Sequence, residues 1–351
     1  MELKELLKKG YEIGGSDVFI VPGARVSCKV KGGMVHLTED IIKPADSEAL
    51  IREAYDLAGR DIGLLRKEGD DDFSFPIRDV SRFRCNAYYQ RGTLAATCRM
   101  ISFGLPDPSQ LGIPDVIMKL AGYHNGMILV TGPAGSGKST TLACMLDWIN
   151  NNREGHIITV EDPIEYLHSH KKCLISQREV PNDAATFARA LRAALRQAPD
   201  VIMLGEMRDL ETIRTSITAA ETGHLLLSSL HTTGAAKTVD RIIDMFPAEQ
   251  QAQIRVQLSM ILRAVVSQRL IPTVNGTQRA VFEVMIVNTA IQNLIRDGRV
   301  HQIDNAIAGG AAQGMISMDN ELMRLYREKV ITKDTALQYA VSPETLSKRL
   351  T

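Results

Sequence analysis

Apolar residues recur along this chain with two different periods, and the change from one to the other divides it. Near the start, "LKELLKKGYEIG" places Leu3, Leu6 and Leu7 on one helical face. "DVFIV", "RVSCKV" and "GMVHL" then read as short strands separated by Pro/Gly and Gly/Gly turns. "DSEALIREAYDLA" reads as a helix capped by Asp46 or Ser47. "FSFPI", "RFRCNAYYQ" and "TLAATCRMI" predict a meander that turns at Arg91-Gly92. Residues 1–101 are thus expected to form a small α/β domain. The Pro- and Gly-rich stretch 102–114, containing "FGLPDPSQLGIP", reads as a linker.

From residue 115 to 351 the texture changes. Apolar runs of a few residues alternate with helical patterns: "MILVTG", a helix from Lys138, "HIITVED", a helix across 184–197, "DVIMLGE", a helix near 210–221, and "HLLLSSLH". Buried strands alternating with helices predict a parallel sheet covered on both faces. "VQLSMILRAVVSQRL", "TAIQNLIRDG", "MDNELMRLYREK" and "SPETLSKRL" then read as a helical tail, with Pro343 at a first helical position.

Composition removes several function classes. Lys plus Arg and Asp plus Glu both number 41, so no global field draws the chain to nucleic acid. Five scattered cysteines without a C-x-x-C pair argue for reduced thiols in a cytosol, and against a zinc ribbon or disulfide scaffold. No apolar run is long enough to span a bilayer, and "MELKELLKKG" has no signal-peptide core.

"GPAGSGKST", Gly132 to Thr140, fits G-x-x-x-x-G-K-[ST]. It follows a predicted strand and opens a predicted helix, the context of a true phosphate loop. Its members are Gly132, Pro133, Ala134, Gly135, Ser136, Gly137, Lys138, Ser139 and Thr140. Here the glycines let backbone amides wrap phosphates and the helix N-terminus adds its positive end. Lys138 is expected on the β- and γ-phosphates of ATP and Ser139 on Mg2+. Ligands bind at the carboxyl ends of strands in such sheets, so Glu206 is expected beside the metal. "ITVEDPIEY" offers Glu161, Asp162 and Glu165, one of which would polarise the attacking water.

His224 and His231 bracket the run "LLLSSL". As a strand this places the rings roughly 20 Å apart. As a helix they lie about 10 Å apart, so neither form allows one zinc between them. At the carboxyl end of a strand, His231 falls beside the phosphates, where an imidazole can report whether the γ-phosphate is present. His224 falls at the opposite end.

In order and spacing, "GPAGSGKST", "ITVEDPIEYLH", "DVIMLGEMRD" and "AAETGHLLLSSLHT" resemble the motifs of the secretion ATPase superfamily. The likeness is greatest to its type IV pilus retraction ATPases, the PilT-like twitching-motility group, and covers essentially the whole chain. It implies a RecA-like ATPase domain, a PAS-like N-terminal domain and a homohexameric ring that hydrolyses ATP with Mg2+ to retract pili. It also implies an inner-membrane pilus platform protein and a paralogous retraction ATPase as partners, and a cytoplasmic protein peripheral at the inner face of the membrane. Within the family pattern Glu165 matches the catalytic glutamate, Glu206 the Walker B acid and His231 the phosphate sensor. Arg84 and Arg99, with Arg91, match arginines that reach the nucleotide. In "TAIQNLIRDG" the family pattern has arginine at Gln292 and glutamate at Asp297. An assembly or type II secretion ATPase is expected to add a longer N-terminal region and a four-cysteine zinc element. An accessory retraction ATPase shares all the motifs, and a nucleotide-gated docking protein would share them without turnover.

Overall fold

The computed structural model describes residues 2–101 and 104–350. Ser102 and Phe103, within the expected linker, lie outside the described residues, as do Met1 and Thr351. Two compact units divide the chain: Met1–Gly104 with Glu165–Leu167, and Leu105–Ile164 with His168–Thr351.

The first unit is built on an antiparallel sheet of β1 (Asp17–Ile20), β2 (Ser27–Val30), β3 (Gly33–His36), β4 (Asp70–Ile77), β5 (Ser81–Gln90) and β6 (Thr93–Ile101). Its strand order is β3-β2-β1-β6-β5-β4. Along β5 the pattern strictly alternates, burying Phe83, Cys85 and Ala87. With Phe73 and Phe75 of β4, that face packs against Leu50, Ile51 and Tyr55 of the helix Pro44–Ala58. Arg91 and Gly92 both take positive φ, 48° and 76°, the backbone that a two-residue hairpin requires. The expected cap at Asp46 or Ser47 is not found. The helix starts at Pro44, whose fixed φ suits a first helical position, and Asp46 instead accepts the Lys43 amide at 2.8 Å.

A mixed sheet organises the second unit: β7 (Gly126–Thr131), β8 (Gly155–Glu161), β9 (Cys173–Glu179), β10 (Val201–Leu204), β11 (Leu225–Leu230), β12 (Leu262–Pro272) and β13 (Gln278–Ile286). The order is β13-β12-β7-β11-β10-β8-β9, parallel throughout except for β13 against β12. Strands β7, β10 and β11 are buried at every position. One face packs Leu129, Val160, Leu204 and Leu226, and the other packs Ile128, Val130, Met203 and Leu227.

The tail is less helical than its pattern suggests. In "VQLSMILRAVVSQRL" the helix ends at Ile261, and Leu262–Pro272 is a strand beside β7. A strand buried on both faces shows no alternation, so its apolar run reads like the buried helix before it. Strands β9 and β13 and the helix Ala235–Asp244 are also absent from the sequence reading. "DVIMLGE" ends its strand at Leu204, leaving Glu206 in the turn that follows. The helix expected across 184–197 is confined to Phe187–Ala194. Helices Thr289–Arg296, Met318–Arg327 and Pro343–Ser347 stand as expected.

Candidate nucleotide site

Three strand ends and one loop make the site. Gly132–Gly137 leaves the carboxyl end of β7 and enters the helix Lys138–Asn152. Gly132 has φ 147°, and a Cβ there would collide with the Gln268 carbonyl oxygen and lie 2.7 Å from Ser136 Oγ. At Gly137, φ is 90° and a Cβ would sit 2.8 Å from Gln268 Nε2. Glycine is required at both positions by backbone and by space. Gln268, buried on β12, also accepts from Thr141 Oγ1 at 2.7 Å, which fixes the first turn of the helix.

Lys138 folds back over the loop, and its Nζ donates to the Gly132 and Pro133 carbonyls at 3.0 Å each. Burial lowers the Lys138 pKa, and the nearby Glu206 carboxylate pulls it partly back. Ser136 Oγ is buried and has no partner among the described residues. A glycine cradle, a buried cation and an unpaired hydroxyl together fit a polyphosphate. The Lys138 ammonium can exchange its two carbonyl partners for phosphate oxygens.

Glu206 is held from both sides. Arg208 Nη2 lies 2.6 Å from its Oε1 and His231 Nε2 lies 3.3 Å from its Oε2. Its own turn is pinned to the end of β11 by Ser229, whose hydroxyl donates to Gly205 O at 2.6 Å. On the neighbouring strand β8, Glu161 is buried and accepts from Thr159 Oγ1 at 2.6 Å and Gln177 Nε2 at 3.3 Å. The structure therefore brings Lys138, Glu206 and His231 together, with Glu161 at the adjacent strand end. The loop residue Ser139 stands exposed in the first helical turn.

Other expected residues lie elsewhere. Glu165 is exposed and groups with the first unit. Arg84 and Arg99 face a cavity of about 300 Å3 in that unit, with Arg99 Nε 2.8 Å from Asp17 Oδ1 and Arg84 Nε 3.9 Å from Asp72 Oδ1. His224 has a structural role: its Nδ1 lies 3.0 Å from Ala219 O and 3.1 Å from Thr222 Oγ1, closing the end of the helix Leu210–Glu221.

Sequence reasoning missed the wall beside the loop. A cavity of about 670 Å3 opens next to Gly137, Thr140 and Thr141 and is bounded by Gln268, Arg279 and Lys329. Its size is right for a small-molecule site, and it draws on β12, β13 and a distant turn that no local motif connects. Among the described residues no helix is long and apolar enough to cross a membrane.

The model of the type II/IV secretion system protein family matches residues 3–340. The chain is 43% identical over 348 residues to the type IV pilus retraction ATPase PilT of Pseudomonas aeruginosa, covering 98% of this chain and 99% of that protein. It is 39% identical over 348 residues to the type IV pilus ATPase PilU of the same organism, covering 99% of this chain and 90% of that one. A crystal structure of the pilus retraction motor PilT with bound ADP superposes with TM-score 0.89, at 43% identity and 99% coverage of each chain.

Proposed function

The chain belongs to the family of type II/IV secretion system proteins, and on that footing we propose that it is an ATPase motor that retracts type IV pili and so drives twitching motility. The observation that carries this reading is the meeting of Lys138, Glu206 and His231 at the carboxyl ends of parallel strands, around a loop whose glycines leave room for phosphate. ATP is the substrate. The loop amides and Lys138 bind its phosphates, and the cavity beside Thr140 and Thr141 takes its nucleoside.

Ser139 and Glu206 supply the hard oxygens that would hold Mg2+, which neutralises charge on the phosphoryl oxygens when bound. Glu165 is assigned as the base that orients and deprotonates water, with Glu161 as the buried alternative. His231 donates toward the γ-phosphoryl and exchanges that bond for Glu206 when the phosphate leaves. Arg84 and Arg99 complete the proposal as cations for the developing charge. A homohexamer acting on an inner-membrane platform protein, from the cytoplasmic face and alongside a paralogous ATPase, is the assembly this reading implies.

A strain lacking the gene tests the direction of the motor: excess surface pili mean retraction, and bald cells mean extension and overturn the reading. The likeness to PilU supports a second reading, an accessory retraction ATPase. In that case the deletion would retract normally until a second retraction ATPase is also removed.

A further inference from the structure

We propose that Glu283, with Ser267 beside it, is a positioning residue for hydrolysis: it fixes the turn that carries His231 and ties that turn to the C-terminal helices. The inference rests on the ATPase reading above and extends it to residues outside the nucleotide motifs.

A polar row crosses the otherwise apolar sheet. Thr131, the last residue before the phosphate loop, pairs with Ser267 on β12, and Ser267 pairs with Glu283 on β13. Residues paired in register share a face, so the three side chains form one line. All are buried, Thr131 at 0% exposed, Ser267 at 1% and Glu283 at 4%. Burying a carboxylate costs free energy unless its oxygens are well used. A valine there would pack more cheaply, so the position of Glu283 calls for a purpose.

That purpose lies at the start of the helix Ala235–Asp244, which begins just after His231. The first amides of a helix have no partner inside it and ordinarily bond a capping side chain. Gly234, at φ 95°, has none to offer. The sheet supplies the cap instead: the Gly234 amide donates to Ser267 Oγ at 2.8 Å and the Ala235 amide to Glu283 Oε1 at 2.8 Å. Across the same turn Thr232 Oγ1 and Thr238 Oγ1 are 2.7 Å apart. His231 is therefore tethered three and four residues from two fixed amides.

The same carboxylate reaches the other way. Burial pushes the Glu283 carboxyl up, Asp304 adds to this, and the amides of Ala235 and Met318 with the charge of Arg269 oppose it. Met318 opens the helix Met318–Arg327, and Val284 and Ile316 exchange two backbone bonds of 2.8 and 3.0 Å alongside. Glu283 thus faces two ways: it accepts from the first turn of the helix behind His231, and it lines a cavity with Ser317 and Asp319 at the start of the C-terminal bundle. A movement of His231 toward or away from Glu206 is passed to that bundle through Glu283.

A double-mutant cycle on the full-length assembled protein tests this, using E283Q, H231A and the pair. The amide keeps one acceptor for Ala235 and replaces the other carboxylate oxygen, and its charge, with an NH2 group. Single-turnover rates with enzyme in excess keep slow variants measurable, and steady-state assays supply KM. E283Q should lower kcat about tenfold while KM for ATP stays within about twofold. In the H231A background the same change should alter the rate less than about twofold, because its effect passes through His231. S267A, a milder change that also removes one cap, should show the same loss of effect and carries the cycle if E283Q does not fold. Equal effects in both backgrounds would make Glu283 a plain helix cap and overturn the inference alone. A wild type without turnover would overturn the ATPase reading and this inference with it.

Discussion

His231 Nε2 lies 3.3 Å from Glu206 Oε2, while Arg208 holds the other carboxylate oxygen at 2.6 Å. The acid expected at the metal is therefore also the resting partner of the expected phosphate sensor. Glu206→Gln leaves a neutral amide between the two and removes the charge that a divalent ion needs. Turnover should fall by about 100-fold or more, with a raised Mg2+ requirement. Steady-state rates across a Mg2+ titration check this, and an unchanged Mg2+ midpoint would remove Glu206 from the metal site.

Lys138→Ala should abolish turnover and leave the fold intact. Its two hydrogen bonds run to the loop's own carbonyls, so the sheet loses no packing. Thermal melting should match the wild type within a few degrees while phosphate release drops to background. Near-normal hydrolysis in a folded variant would sink the phosphate-loop assignment.

The base is distinguished by a pair of amides. Glu165→Gln should bind ATP with little change and slow turnover by roughly 100-fold or more, since an amide cannot accept the proton of water. Glu161→Gln should do less, because Glu161 is already occupied by Thr159 and Gln177. Reversed sizes in a rapid-quench assay would move the base to Glu161.

Acid should destabilise the second unit through His168. Burial lowers the pKa of this ring, with Asp147 opposing the shift and Lys171 adding to it; its Nδ1 is buried with no partner among the described residues. A base with a lowered folded pKa is protonated first in the unfolded chain. Stability it contributes is present above about pH 6.5 and is lost as pH falls from there toward the lower folded value. The slope for one proton is at most about 1.4 kcal/mol per pH unit. His168→Leu should flatten that part of a urea-denaturation series, and an unchanged slope would show that the ring does not titrate there.

Thiol reagents should leave Cys85 and Cys98 untouched in the native protein. These face each other across β5 and β6 with sulfurs 3.5 Å apart, both fully buried. The bond to Cys98, and burial next, push the Cys85 thiol well up, which suppresses the reactive thiolate. Labelling should appear only with unfolding, as mass spectrometry across a urea series would show. Rapid labelling without denaturant would mean that this sheet opens.

Much of the site could be read in the sequence because its parts are local. The phosphate loop announces itself in nine residues, Glu206 stands just past the apolar run Val201–Leu204, and His231 just past Leu225–Leu230. What escaped depends on partners far apart in the chain. Gln268 matters because its strand lies beside β7, yet its segment reads as a continuing helix because no Gly or Pro marks the change at Ile261–Leu262. Glu283 gains its bond from Ala235, and nothing near it in sequence hints at that partner. For His224 the sequence offers only its place opposite His231, because the helix end that it closes is not part of any local motif.

The position of β7 in its sheet also dictates when the site can come into being during synthesis. Met127 pairs with Leu226 on one side through the β11 register and with Leu262 on the other through β12, so the phosphate loop lies between strands made much later. Until the ribosome has passed Pro272, β7 has an open edge and Gly132 has no Gln268 carbonyl above it. Non-local pairings of this kind are slow and leave strand edges exposed in the meantime. A nascent chain halted before Leu262 would carry every residue of the phosphate loop and still be unable to shape it, so nucleotide could assist only the last stage of folding.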